Sequence, residues 1–243
     1  MSCFHTHVVS STILLAMKKQ HRFYIPKLSM DSTVVITEPS LVHLMRDVLK
    51  FKKGEVCRLF TNNSDDSLVT VVSLDKKHVV VERTTILPKI PIPKKIAAAV
   101  AITKRDTFEF VVQKLTELGV ARIVPLLTDR TVKQSLRKDR LEKISIEATE
   151  QSGHSTIVQI EDPVALSLFL KNNTENILYF DTEATTTKTA EATVFCIGPE
   201  GGWSEEEKAL FKKYATPAVS MGETVLRAET AAIIGAYSLL WQS

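Results

Sequence analysis

Residues 198–202 read GPEGG and residues 221–230 read MGETVLRAET. Glycines let backbone amides approach a ligand closely, and the second turn adds an arginine, Arg227, and a carboxylate, Glu229, that can carry chemistry. Taken singly, a Gly- and Pro-bearing turn after a strand is most often structural punctuation. Two such turns at successive strand ends outline a ligand pocket. Neither has the GxGxxG spacing of a dinucleotide fingerprint, nor the Lys and Ser or Thr that close a phosphate-binding P-loop. A nicotinamide or nucleoside triphosphate site is therefore not expected.

The elements that must position these turns alternate. Lys95 to Ile102 reads as a buried strand, and Asp106 to Leu118 as a helix with Asp106 and Glu109 as a capping box and Gly119 as its stop. Ile123 to Leu127 is the next strand, followed by a helix over about Ser135 to Gln151, a strand near Ile157 to Ile160, and a helix from Pro163 to Leu170. Strands at Ile177 to Phe180 and Thr193 to Ile197 follow. Ser204 and Glu207 are spaced as a second capping box, Val219 to Met221 is strand-like, and a helix runs from about Ala228 to Trp241. Such alternation implies an α/β domain with a parallel sheet, whose ligands collect beyond the carboxyl ends of the strands.

The front of the chain has a different period. Short β-rich runs at 21–25, 33–37, 55–60, 67–74 and 78–82 are interrupted by one helix, Pro39 to Phe51, which suggests a small β-barrel. Residues 1–95 hold 15 Lys plus Arg against 8 Asp plus Glu, a net +7, whereas residues 96–243 hold 16 against 20, a net −4. A basic module joined to an acidic one suggests a polyanion-binding domain attached to one with another task. Lys50, Lys52 and Lys53 cluster at the end of the front helix, where they can contact phosphate or complement the helix dipole. The proline-rich stretch 87–95 suits a stiff linker between residues 17–86 and 96–243. Residues 1–16 carry no charged side chain and are expected to be a disordered extension.

An apolar content of 44% with 24% charged residues is that of an ordinary soluble protein. No run approaches the roughly 18 apolar residues of a membrane span. Cys3, Cys57 and Cys196 are scattered, without zinc spacing or a disulfide framework, so a reducing cytoplasmic compartment is expected. His78 reads as surface and Cys196 as packing. Arg130, Lys133, Arg137, Lys138, Arg140 and Lys143, interspersed with Asp129, Asp139 and Glu142, read as a solvated helix face, with RNA contact the alternative.

GPEGGWSEEE at 198–207 followed by MGETVLRAET resembles the signature of the SPOUT-class methyltransferases that make 3-methyluridine in 16S ribosomal RNA. HRFYIP at 21–26, VLKFKKGE at 48–55, QKLTELGVARIVPL at 113–126 and EATEQSG at 147–153 match the same family in order, so the resemblance covers nearly the whole chain from His21. It implies a PUA-like β-barrel for RNA, then a SPOUT-type α/β domain threaded into a trefoil knot. It further implies a homodimer that acts on the small ribosomal subunit. S-adenosylmethionine is the implied cofactor, and its sulfonium methyl is the electrophile, so no metal is required.

Carried over, the cofactor site comprises Phe180, Ile197, Gly198, Pro199, Glu200 and Gly201, with Met221, Gly222, Leu226 and Thr230 from the second turn. Arg227 would stabilise charge on the uridine carbonyls and Glu229 would accept the N3 proton, although Arg227 could instead pair with Glu229 or Glu200. Arg22, His43, Lys50, Lys52 and Lys53 are the expected RNA contacts. The chain departs from the family pattern in carrying a single His43 with Asp47 and Lys50, Thr224 in place of an arginine, and His154 after EQSG. These departures lie mainly at positions expected to face RNA. A related knotted enzyme acting on another RNA such as transfer RNA, and a non-catalytic RNA-binding protein, are the alternatives.

Overall fold

The structure is a computed structural model that describes residues 20–29, 31–62, 65–88, 92, 94–131, 135–154, 156–187 and 191–241. The expected extension 1–16, Cys3, Lys133 and the linker residues Pro91 and Pro93 lie outside these residues. Backbone contacts divide the chain into two units, 1–90 and 91–243.

The first unit is a five-stranded sheet in the order β1-β3-β4-β5-β2, with β1 Arg22–Tyr24, β2 Thr33–Ile36, β3 Val56–Phe60, β4 Asp66–Leu74 and β5 Val79–Leu87. β1 and β3 are parallel and the other pairings antiparallel. Alternation buries Val34 and Ile36 while Thr33 and Val35 face solvent, as a half-buried strand requires. The β4–β5 ladder shifts register between Leu68 and Val69 and again between Val71 and Ser73, irregularities that bend strands. A small barrel was expected here; among the described residues no ladder joins β1 to β2.

The front helix is shorter than its apolar spacing suggested. α1, Pro39–His43, passes into a π-helical turn, Leu44–Val48, and Lys50 then takes a left-handed φ of 56° that stops it. Met45, Leu41 and Val42 are buried against Phe23, Phe51 and Leu59. Arg22 requires a correction. Parallel register sets it beside Arg58, and both guanidinium groups are buried on the fully buried Asp66, at 2.7 Å from Arg22 Nε and 2.5 Å from Arg58 Nη2. Arg22 also lies 3.5 Å from the Phe60 ring centroid. Its charge is spent inside the unit rather than presented to RNA.

The second unit is a parallel sheet built on β6 Ala97–Ala101, β7 Arg122–Leu127, β8 Gln159–Ile160, β9 Val164–Ala165, β10 Ile177–Phe180, β11 Val194–Ile197 and β12 Ala218–Val219. The order is β12-β10-β11-β6-β7-β8, with β9 also on β7. β6, sequence AAAVA, is buried throughout: Ala98 and Val100 face one core, Ala97 and Ala99 the other. Helices α2 Arg105–Leu118, α3 Lys138–Ser152 and α6 Ala228–Trp241 supply the first core with Phe108, Leu115, Leu141, Ala232 and Leu239. Helices α4 Leu166–Asn172 and α5 Glu205–Lys213 supply the second with Phe169 and Phe211. Burial on both faces is why these strands read as apolar runs.

Gly119 ends α2 in the left-handed conformation at φ 93°, as expected. The expected box at its start does not form. Lys104 is the N-cap without a side-chain cap, Asp106 lies within the first turn, and Glu109 accepts a 2.6 Å hydrogen bond from Arg140 of α3. The N-cap lies two residues earlier than the spacing implied, which releases Glu109 for its neighbour.

Candidate active site

β12, β10 and β11 are adjacent and parallel, so their carboxyl ends open side by side. Beyond them lies a cleft of about 570 Å³. Phe180, Asp181 and Glu183 line it after β10, Ile197 to Trp203 after β11, and Met221, Gly222 and Thr224 to Ala228 after β12. The two turns singled out by sequence thus meet in one cleft. Of the residues expected there, Phe180, Ile197, Gly198, Pro199, Glu200, Gly201, Met221, Gly222, Leu226 and Arg227 line it. Glu229 and Thr230, both partly buried in the first turn of α6, are not part of that lining.

The GPEGG turn is fixed from below. Trp203 is buried, donates Nε1–H to the Phe180 carbonyl at 2.9 Å, and joins a ring cluster in which Tyr179 and Phe211 stack at 4.0 Å. A Cβ on Gly198 would lie 3.1 Å from the buried Trp203 ring, and one on Gly201 would lie 3.2 Å from the Arg130 side chain, so both turn positions are tightly approached by a neighbour. Ser204 then caps α5: its Oγ accepts from the Glu207 N–H, and Glu207 Oε2 accepts from the Ser204 N–H at 2.8 Å. On the second turn, Gly222 holds φ 119°, a value only glycine adopts without strain.

Spacing along the chain did not reveal the loop after β7. Asp129 N–H donates to Glu207 Oε1 at 2.9 Å, Ser204 Oγ donates to Asp129 Oδ2, and Arg130 Nη1 donates to the Gly201 carbonyl. Arg130 therefore belongs to the cleft, not to the helix face on which it was expected. The rest of that run is committed locally: Arg137 to Asp139, Lys138 to Asp162 and Arg140 to Glu109. The only signal for Arg130 was its place just past a strand end, where parallel sheets gather ligands.

Charge in the cleft is sorted. Lys208 Nζ lies 2.6 Å from Glu183, 3.3 Å from Glu205 and 3.9 Å from Asp181, and its pKa is raised, first by the hydrogen bond to Glu183. The Arg227 guanidinium is exposed, and among the described residues it has no carboxylate within 4.0 Å, so pairing with Glu229 or Glu200 is not observed. In the first unit, His43, Lys50, Lys52 and Lys53 are exposed, with His43 Nδ1 2.7 Å from Asp47. Hydrogen bonding from Arg46, then from His43, lowers the Asp47 pKa to about 2. Among the described residues no cluster of His, Cys, Asp and Glu could hold a metal ion, and no helix is long and apolar enough to cross a membrane.

Comparison with known proteins agrees with this geometry. The model of the RNA methyltransferase domain family matches residues 90–240. The ribosomal RNA small subunit methyltransferase E of Rickettsia conorii is 31% identical over 227 residues, covering 88% of this chain and 93% of that protein. A Legionella pneumophila protein solved in complex with the bound cofactor SAM superposes with a TM-score of 0.83 at 30% identity, over 91% of this chain and 97% of that one. The ribosomal RNA small subunit methyltransferase E of Neisseria gonorrhoeae, solved bound to S-adenosylmethionine, gives 0.81 at 27% identity, over 91% and 98%. With a match over most of its length and a cleft where that fold gathers its ligands, the chain belongs to the RNA methyltransferase family that includes the ribosomal RNA small subunit methyltransferases E.

Proposed function

We propose that this chain methylates N3 of a uridine in small-subunit ribosomal RNA, with S-adenosylmethionine as donor. The observation that carries the reading is the single cleft built from the GPEGG and MGETVLRAET turns at three adjacent strand ends. Its residues fit the cofactor. Phe180, Ile197, Met221 and Leu226 offer apolar walls for an adenine, and the side-chain-free approaches at Gly198 and Gly201 leave backbone groups to bind polar ends. When bound, the cofactor supplies an electrophilic sulfonium methyl.

The chain's own task is the nucleophile. Uridine N3 carries a proton, and its loss spreads negative charge onto the two flanking carbonyl oxygens. Arg227, exposed in the cleft and unpaired among the described residues, would stabilise that charge, and Glu229, two residues on in the first turn of α6, would take the proton. Glu229 is the less direct candidate because it does not line the cleft. Thr230 would support the turn rather than touch the cofactor.

The first unit is read as the PUA-like RNA module, presenting His43, Lys50, Lys52 and Lys53, and the second as the knotted SPOUT domain. A homodimer is supported by the apolar outer face of α6, where Ile234, Tyr237 and Trp241 remain exposed. The cytoplasm, where small subunits assemble, is the proposed location. The test is to incubate purified protein and methyl-labelled cofactor with undermodified small subunits or with bulk transfer RNA. Label recovered as 3-methyluridine in the small subunit is expected. Label in transfer RNA alone refutes the substrate.

A further inference from the structure

We infer that Arg130 binds a backbone phosphate of the RNA at the cleft, a role that rests on the RNA methylation reading above. Arg130 is exposed and lines the cleft. Of its five N–H donors, one is spent on the Gly201 carbonyl, and among the described residues no carboxylate lies within 4.0 Å of the rest. A planar guanidinium fixed at one corner, with its remaining N–H groups free, is prepared to donate two parallel hydrogen bonds to the oxygens of a phosphate.

The loop that carries it is held as a site would be. Thr128 N–H and Thr131 Oγ1 lie 2.9 Å apart, the two threonine hydroxyls 2.7 Å apart, and Thr131 N–H donates to the Thr128 carbonyl at 3.1 Å. Asp129 is tied to Ser204 and Glu207. Both ends of Arg130 are thereby positioned before any ligand arrives, which removes part of the ordering cost of binding.

Strand order adds the second observation. β7, which delivers Arg130, lies on the far side of β11 from β12, which delivers Arg227. The lysine delivered between them, Lys208, is occupied by Glu183, Glu205 and Asp181. Free positive charge therefore comes from the two flanks of the cleft. N3 lies on the pairing edge of uracil, so the base must be unpaired to react, and its sugar-phosphate backbone must pass the cleft mouth. Arg227 addresses the base from one flank, and Arg130 holds the backbone from the other.

Arg130→Gln and Arg130→Lys, compared with the unaltered protein, test this. Cofactor dissociation constants are measured by calorimetry, small-subunit affinity across a salt series, and kcat and KM for methyl transfer. For Arg130→Gln the expected result is a cofactor dissociation constant within about twofold, a KM for subunits raised roughly tenfold with kcat little changed, and a salt slope smaller by about one. Arg130→Lys restores the slope but only part of the KM. An unchanged slope overturns the inference, as does a cofactor affinity that falls in step with methyl transfer, which would make Arg130 a prop for the GPEGG turn. If the unaltered protein neither binds nor methylates small subunits, the methylation reading fails first and this inference falls with it.

Discussion

Gly235→Ala tests whether α6 sets the wall of the cleft. Gly235 is buried in mid-helix, and an added Cβ would lie 2.7 Å from Phe180 Cε2 and 3.1 Å from Met221 Cε. Ordinary contact begins at 3.4 Å, so the Phe180 edge must retreat by at least 0.7 Å. Phe180 packs on Phe195 at 6.1 Å between centroids and is only 9% exposed, which leaves it little room. Alanine gains about 1 kcal/mol of helix propensity over glycine, while overpacking costs about 1–3 kcal/mol. The balance is a loss of roughly 0–2 kcal/mol, at about 2–4 °C of Tm per kcal/mol for a protein of this size.

The effect on the cofactor is separable. A 0.5–1 Å gap forfeits about a quarter to a half of each dispersion contact. Against about 2–3 kcal/mol for burying a Phe-sized side chain, this amounts to roughly 0.5–1.5 kcal/mol, or about two- to tenfold in dissociation constant. Calorimetry with S-adenosylmethionine and thermal melts read both quantities. Combining Gly235→Ala with Phe180→Leu, which removes the obstructing ring edge, should cost less than the sum of the single changes. An unchanged cofactor affinity, or strict additivity in the pair, would refute the argument that this helix sets the wall.

Arg227→Ala should lower methyl transfer by about 10²–10³-fold with cofactor affinity nearly unchanged, and loss of cofactor binding instead would make it a scaffold residue. Glu229→Gln should flatten the acid limb of the turnover–pH profile if Glu229 accepts the N3 proton, and an unaltered profile removes it as the base. Asp66→Ala leaves Arg22 and Arg58 buried without their carboxylate and should destabilise the first unit by about 3–5 kcal/mol in denaturant melts; a change under about 1 kcal/mol would contradict the pairing. The Asp47 carboxyl should titrate by NMR near its lowered value of about 2 and return toward 3.8 in Arg46→Ala. Because the folded pKa is depressed, the stability Asp47 adds is present above the unfolded pKa and is lost as pH falls through the folded one.

Local chemistry was legible where a residue's partner lies within one turn. Ser204 and Glu207 are three residues apart and form the box their spacing implies. Gly119 stops its helix, and AAAVA at 97–101 reads and behaves as a strand buried on both faces. What escaped was set by partners far along the chain. Arg130 meets Gly201 across 71 residues and Arg22 meets Asp66 across 44, so one surface-like arginine joins the cleft and one RNA-like arginine leaves the surface. Asp106 and Glu109 had the right types at the right interval, but the carboxylate found Arg140 on the neighbouring helix. Periodicity carries no information about such choices.

The sheet's order has a further consequence, for the timing of assembly. β6 pairs on one edge with β7, where Ala97 meets Arg122, 25 residues later, and on the other with β11, where Ala97 meets Val194, 97 residues later. Closing the second gap costs more chain entropy than the first, and no contact on that edge repays it until β11 is available. During synthesis the first unit can fold while β6, apolar along its whole length, waits with one edge bare. The chain therefore passes through a stage in which its central strand is sticky and its active site does not yet exist.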